Sequence, residues 1–152
     1  MPAMPATDAT DHDLTDPAFY DWFTTERVRF SDTDMVGHVN NVGHTALIET
    51  GRIAYAMELS GRVEVPFGRI MFVRLEVDFR EDLYWPSHVD IGARIVGVGT
   101  SSFRIATGVF HEGACKTTAI NVMVHLGDDR RAAPIPDDMR EVLTGELPGS
   151  RV

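Results

Sequence analysis

The chain has 152 residues, of which 43% are hydrophobic and 24% are charged, and these proportions suit one globular domain. Its net charge of −9 argues against nucleic acid as a partner, because an acidic surface repels a polyphosphate backbone. The single cysteine excludes an internal disulfide framework, which fits a reducing cytosol and predicts a cytoplasmic protein. No apolar run approaches the roughly 18 residues needed to span a bilayer, so no membrane partner is expected.

The first half of the chain predicts a leader, a strand, a polar loop and a helix. Residues 1–18 are rich in Pro, Ala, Thr and Asp and predict a disordered leader. Residues 25–32 alternate between apolar and polar types and predict a strand, with Val28 and Phe30 on its apolar face. Residues 41–59 predict a helix of about five turns. The apolar positions that indicate it are Val42, Ala46, Ile53 and Met57.

The second half of the chain alternates in the manner of β-strands. Residues 71–80, 88–98, 101–110 and 114–126 each predict a strand, and turns rich in Gly, Ser and Thr join the later ones as antiparallel neighbours. The main domain is therefore expected to span residues 19–127. Residues 128–152 form a predicted tail with one short helix over residues 137–143.

These elements predict an α+β fold in which an antiparallel sheet of about five strands wraps around one long central helix. The helix has to bury an apolar stripe, and the only surface available for that is one face of the sheet. An open edge strand invites pairing with a second copy, so a homodimer or a homotetramer is expected.

Polar residues crowd into the loop directly before the helix. Asp32, Asp34, Gly37, His38, Asn40 and Asn41 lie within ten consecutive residues. A helix start offers unpaired N–H groups and a partial positive charge that stabilise a developing oxyanion. A carboxylate just upstream is placed to act as a base or a nucleophile on a carbonyl held there.

The segment SDTDMVGHVNNVGHTALIETGRIAY resembles the D-x-D-x-x-G-H-V-N-N segment of the hotdog thioesterase superfamily. The 4-hydroxybenzoyl-CoA thioesterase-like and acyl-ACP thioesterase-like groups are the most similar. The resemblance covers residues 25–59 strongly and continues loosely to residue 126. It implies the hotdog fold and hydrolysis of an acyl-CoA thioester to the free acid and CoA, with no cofactor.

The resemblance also implies roles for individual residues. Asp34 would be the catalytic carboxylate, and the N–H groups near Gly37 and His38 would polarise the thioester carbonyl. Glu49 would help to position water. His44 stands where this family often has Tyr, which would alter the mouth of the pocket or add a proton carrier. The turn formed by Thr100, Ser101 and Ser102 resembles a stretch that borders the pantetheine arm.

Several of these residues also have structural interpretations. Asp32 suits a hydrogen bond that holds the turn. Asn40 and Asn41 suit chiefly helix capping, and substrate binding is their other predicted role. Glu49 can form an i,i+3 pair with Arg52. The remaining histidines have no ligand spacing, so no metal site is predicted.

The rival functions are a non-catalytic acyl-CoA binding module, an acyl-ACP thioesterase and a purely structural oligomerisation domain. A hotdog dehydratase or hydratase is a further rival, but the sequence lacks the signatures that those relatives carry around the helix. The acyl group of the substrate stays open.

Overall fold

The computed structural model describes residues 12–63 and 69–150. This part of the chain forms five strands and two helices, which confirms the predicted α+β architecture. The strands are β1 (Trp22–Arg27), β2 (Ile70–Phe79), β3 (His88–Val98), β4 (Ser102–His111) and β5 (Ala114–His125). The helices are α1 (Asn41–Ser60) and α2 (Asp137–Gly145).

The five strands form one antiparallel sheet in the order β1-β3-β4-β5-β2. Strands β3, β4 and β5 are sequential neighbours, whereas β2 crosses over to pair with β5. In that pair Phe79 lies opposite Thr117 and Ile70 lies opposite His125. Strands β1 and β2 are therefore the two edges of the sheet.

Helix α1 lies across the concave face of the sheet and runs in the direction of β5. His44 contacts Thr117 and Arg52 contacts Asn121, so the start of α1 lies near Phe79 and its end lies towards Ile70. Gly51 allows close approach, because a Cβ atom there would come within 2.3 Å of the Ile91 side chain. Neither helix in the described residues is both long and apolar enough to cross a membrane.

The apolar stripe that predicts α1 is not the face that packs on the sheet. Val42 is 78% exposed and Met57 is 65% exposed. The buried face instead contains Leu47, Ile48, Tyr55 and Leu59, interspersed with glycine and polar residues. Helix α1 therefore has two apolar faces, and the sheet covers only one of them.

The first strand lies earlier in the chain than its sequence pattern predicts. The structure places β1 at Trp22–Arg27, and the chain then turns through a 3₁₀ segment at Phe30–Asp32. Val28 is buried as expected, but Phe30 is 71% exposed. The alternation fails there because the Asp32 carboxylate accepts hydrogen bonds from Arg29 and closes the turn.

Helix α2 shares a hydrophobic core with α1 and the sheet. Ile135, Met139 and Leu143 are buried against Tyr55 and Phe103. The segment after residue 127 thus covers the end of the sheet where α1 terminates.

The described part of the predicted leader lies on the convex face of the sheet. Pro17–Phe19 form a 3₁₀ turn, and Tyr20 packs over Gly92 and Gly108, where any Cβ would approach the ring to below 3 Å. Arg94 donates to the Phe19 carbonyl oxygen at 2.7 Å. Residues 1–11 lie outside the described residues.

Candidate active site

Asp34 opens a tight turn that projects from the start of α1. The Gly37 N–H donates to the Asp34 carbonyl oxygen at 3.1 Å, and the Asp34 N–H donates to the His38 carbonyl oxygen at 3.0 Å. Gly37 has a φ of +95°, a left-handed conformation that favours glycine. The geometry of this turn therefore favours glycine at position 37.

The two oxygens of the Asp34 carboxylate have different surroundings. Oδ1 accepts a hydrogen bond from the Val36 N–H at 2.9 Å. Oδ2 lies 3.6 Å from His38 Nδ1, which is within ion-pair range but beyond a good hydrogen bond. The side chain is 34% exposed, and none of the described residues donates a hydrogen bond to Oδ2.

Several N–H groups near Asp34 remain free to hold a carbonyl oxygen. Among the described residues, no acceptor takes the N–H groups of His38, Asn41 or Val42. Gly37, the other predicted donor, already uses its N–H within the turn. Since the Asn41 and Val42 groups belong to the first turn of α1, the helix dipole reinforces them.

Asp32 is buried next to this turn and is hydrogen-bonded to Arg29. It is 6% exposed, and its carboxylate accepts from the Arg29 N–H at 2.9 Å and from the Arg29 guanidinium at 2.8 Å. Burial acts to raise the pKa of Asp32, but the hydrogen bonds from Arg29 outweigh it and hold that pKa below its ordinary value. Asp32 thus anchors the loop that presents Asp34.

Of the two predicted capping residues, only Asn40 caps α1. Its Oδ1 accepts from the Gly43 N–H at 2.7 Å, whereas Asn41 is the exposed first residue of the helix. A Cβ atom at Gly43 would lie 3.0 Å from the Asp32 carbonyl oxygen, so glycine lets the helix start close to the loop. These contacts fix the position of Asp34 relative to the helix N-terminus.

His44 is buried beneath the loop and does not form its mouth. The residue is 4% exposed, and its Nδ1 lies 2.5 Å from the Thr117 hydroxyl on β5. The Phe79 ring packs edge-on against the imidazole at 5.8 Å between centroids. Burial lowers the pKa of His44 below its ordinary value of 6.5, which favours the neutral imidazole near pH 7.

Acidification is expected to destabilise the protein through His44. The pKa of His44 is lower in the folded chain than its value of 6.5 in the unfolded chain, so the unfolded chain binds a proton first as the pH falls. The free energy of unfolding is therefore unaffected by His44 above pH 6.5 and decreases as the pH falls below 6.5. Between about pH 7.5 and about pH 5.5, we expect the melting temperature of the wild type to fall further than that of His44→Gln. Scanning calorimetry measures both, and equal falls would contradict the prediction.

Glu49 and Arg52 form the predicted i,i+3 pair, at 3.3 Å between Oε1 and Nη2. The Glu49 side chain is 65% exposed, whereas that of Arg52 is 4% exposed. Among the described residues, no contact joins Glu49 to the turn that carries Asp34. Arg52 also reaches Asn121 Oδ1 at 3.2 Å, and its guanidinium stacks on the Phe72 ring at 3.9 Å.

The buried role of Arg52 was not predicted from the sequence. Its position eight residues after His44 indicates that both side chains lie on one helix face, and this spacing could have revealed it. The aromatic corner beside the loop was also missed. Phe30 packs against Trp85 at 5.3 Å, and His38 packs against Tyr84 at 6.1 Å.

The turn of Thr100, Ser101 and Ser102 lies far from Asp34 within one chain. It connects β3 to β4 at the end of the sheet where α2 packs, and the Thr100 carbonyl oxygen accepts from the Ile135 N–H. Asp34 lies at the other end, because His38 forms a bridge to Tyr84, just before β3 begins. The 11 residues of β3 separate the two ends by roughly 35 Å.

Side chains able to bind a metal do not cluster in the described part of the chain. Within residues 12–63 and 69–150, no three side chains of His, Cys, Asp and Glu converge on a point that could hold a metal ion.

Comparison with known proteins matches most of this chain to a recognised family. The model of the thioesterase-like superfamily matches residues 28–143. The uncharacterised Bacillus subtilis protein YsmA is 29% identical over 126 residues, which are 82% of this chain and 86% of YsmA.

Two solved structures resemble the chain in sequence and in fold. A predicted thioesterase from Bacillus stearothermophilus is 29% identical, with a TM-score of 0.74 over 83% of this chain and 96% of its own. A thioesterase from Thermus thermophilus, solved in complex with coenzyme A and zinc, is 30% identical. Its TM-score is 0.74 over 83% of this chain and 93% of its own.

Proposed function

The chain belongs to the thioesterase-like superfamily, and from that premise we propose that it hydrolyses acyl-CoA thioesters to the free acid and CoA. The observation that carries this proposal is the Asp34 carboxylate, whose Oδ2 accepts no hydrogen bond from the described residues, beside the free N–H groups at the start of α1. A thioester is already activated, so a carboxylate, an oxyanion site and water suffice for its hydrolysis.

Two routes use this geometry. In the first, Asp34 takes a proton from water, the resulting hydroxide adds to the thioester carbon, and the CoA thiolate leaves. In the second, an Asp34 oxygen adds to that carbon and expels the thiolate, and water then hydrolyses the mixed anhydride. In both routes negative charge develops on the carbonyl oxygen, where the N–H groups of His38 and the first turn of α1 stabilise it.

We also propose that the working enzyme is a homodimer formed along β2. This edge strand exposes Met71, Phe72, Val73 and Phe79. Pairing two β2 edges would cover these apolar side chains in both chains and continue the sheet.

Such a dimer would also reconcile the positions of the candidate site residues. Within one chain, the turn of Thr100, Ser101 and Ser102 is at the opposite end of the sheet from Asp34. A twofold axis across β2 reverses the direction of the second copy. The turn of one chain would then lie at the same end as Asp34 of the other, where a CoA arm could contact both.

Release of free thiol from a panel of acyl-CoAs tests the function. The panel contains short aliphatic, long aliphatic and aromatic acyl groups, and matched acyl-ACPs separate CoA from carrier-protein substrates. We expect turnover of at least one acyl-CoA. Binding of acyl-CoA without any thiol release would contradict the enzymatic proposal and identify a binding module, and absence of both would favour a structural domain.

A further inference from the structure

The guanidinium group of Arg52 is buried but only partly hydrogen-bonded. Its side chain is 4% exposed. Nη1 donates to Asn121 Oδ1 and Nη2 donates to Glu49 Oε1, so two of the five N–H groups of a guanidinium have acceptors within the described residues. Nε is buried and has no acceptor there. A buried, charged donor without an acceptor costs free energy, and a ligand that accepts from it recovers that cost.

Little negative charge surrounds this guanidinium. Of the carboxylates in the described residues, only that of Glu49 forms an ion pair with it, and the Glu49 side chain is 65% exposed. Burial lowers the pKa of Arg52, and the Glu49 carboxylate opposes that shift without cancelling it. Because an ion pair with an exposed partner contributes little, the buried cation still favours a second carboxylate.

The sheet holds the guanidinium in one orientation. The Asn121 side chain uses both amide N–H groups, donating to the Ile105 carbonyl oxygen at 3.0 Å and to the Thr107 hydroxyl at 3.1 Å. Its Oδ1 is thereby directed at Arg52. Asn121 and Thr107 are fully buried, so this polar network lies within the core between α1 and the sheet. A guanidinium fixed in this way is pre-organised to bind a planar partner.

Arg52 lies within reach of a group that extends from the Asp34 turn. It comes 11 residues after Asn41, which corresponds to roughly 16 Å along the helix axis. Side chains in a helix tilt towards its N-terminus, and the contact of Arg52 with Glu49 shows that tilt. The guanidinium is therefore closer to the start of α1 than its own Cα atom is.

Strand β2 provides an apolar surface along the same stretch of α1. Four of its side chains lie opposite the buried residues of β5 that face α1, and they therefore share that face of the sheet. All four are partly exposed to solvent. They are Phe72, Leu75, Val77 and Phe79. Phe79 contacts His44 beneath the Asp34 loop, and the Phe72 ring stacks on the Arg52 guanidinium at 3.9 Å.

We propose that Arg52 binds a carboxylate at the far end of an acyl group whose thioester is held at Asp34 of the same chain, with the Phe72 ring turning aside to admit it. The inference rests on the proposed function and names a substrate class, the CoA thioesters of dicarboxylic acids. A carboxylate matches the parallel N–H groups of a guanidinium, and the aliphatic stem lies along β2. Arg52 thus determines specificity and takes no part in the chemistry at the thioester.

Arg52→Met tests the assignment, because methionine keeps a long unbranched side chain and removes the N–H donors. In the wild type we expect kcat/KM to be higher for suberoyl-CoA and sebacoyl-CoA than for octanoyl-CoA and decanoyl-CoA of the same lengths. This preference should fall about tenfold or more in Arg52→Met, the scale of a hydrogen bond to a charged group. If Arg52 has only a structural role, both substrate classes lose activity equally, and an unchanged preference overturns the assignment.

Glu49→Gln tests the assignment in the opposite direction and keeps Arg52 in place if Arg52→Met fails to fold. Removing the competing carboxylate should raise the preference for suberoyl-CoA over octanoyl-CoA about two- to fivefold. An unchanged or lower preference would overturn the assignment. Glu58→Gln is the matched control, because Glu58 lies on the same helix and pairs with Arg62, and its preference should equal that of the wild type.

The outcomes separate this inference from the proposed function. Wild-type turnover without a preference for the carboxylated substrates would overturn the role of Arg52 and leave the thioesterase intact. If the wild type releases no thiol at all, calorimetric binding of suberoyl-CoA and octanoyl-CoA decides the matter. A selective loss of suberoyl-CoA affinity in Arg52→Met supports the site, and equal losses overturn it. A fall in the affinity for free CoA would assign the guanidinium to a CoA phosphate and overturn it as well.

Discussion

Replacing Asp34 by Asn is expected to lower kcat/KM for acyl-CoA hydrolysis by about two orders of magnitude or more, the usual scale for a positioned acid–base group. The amide keeps the shape of the side chain and can still accept from the Val36 N–H. It cannot take a proton from water or attack a thioester. Free-thiol release from the best substrate of the panel measures the loss, and Asp34→Ala should behave in the same way.

Asp90→Asn is the matched control for this prediction. Asp90 lies on the convex face of the sheet, where its Oδ1 accepts from the Thr25 hydroxyl at 2.7 Å, and an amide oxygen preserves that contact. Its activity should equal that of the wild type. Full activity in Asp34→Asn would refute the catalytic role of Asp34. If the melting temperature of that variant also falls, its loss of activity reflects a loss of folded protein.

Disrupting the proposed dimer contact along β2 is expected to lower activity about as much as the Asp34→Asn substitution. In the fully paired register, position 73 lies opposite Glu76 of the second copy, so Val73→Asp places two negative charges against each other at the interface. We expect a monomer by light scattering and a loss of activity of about a hundredfold, because a site assembled from two chains loses its positioning. Every catalytic side chain named above would be unchanged.

An aspartate on the other edge strand, β1, is the control for Val73→Asp. Phe23 is 42% exposed on β1, and Phe23→Asp should leave both the dimer and its activity in place. If Val73→Asp stays dimeric and active while Phe23→Asp dissociates, the interface lies on β1. An active Val73→Asp monomer would show instead that one chain carries a complete site.

Helix α1 shows where periodicity in the sequence succeeds and where it misleads. The helix was predicted over residues 41–59 and is observed at Asn41–Ser60, since backbone periodicity and the absence of proline are local properties. The stripe of Val42, Ile53 and Met57 was assigned to the sheet, yet these residues are exposed. Periodicity identifies an apolar face, but it does not tell whether that face contacts its own sheet or a second copy.

The candidate site shows the same division. The motif placed Asp34, His38 and Asn40 directly before a helix, and the structure places them there because a tight turn and a helix cap involve only near neighbours in sequence. The anchoring of Asp32 by Arg29 is also local. By contrast, the contact of His44 with Thr117 joins residues 73 positions apart, and no sequence pattern indicates that pairing.

The sequence by itself determined the type and order of the main elements and the loop that presents Asp34, because these depend on alternation, helical spacing and turn residues within a few positions. Only the tertiary structure decided that β2 crosses over to become an edge and that α2 closes the far end of the core. It also placed the turn of Thr100 to Ser102 a full strand length from Asp34. These arrangements depend on which apolar surfaces pack against one another and are removed from water. The residues that form those surfaces lie far apart in the chain, so local sequence patterns do not reveal which of them pair.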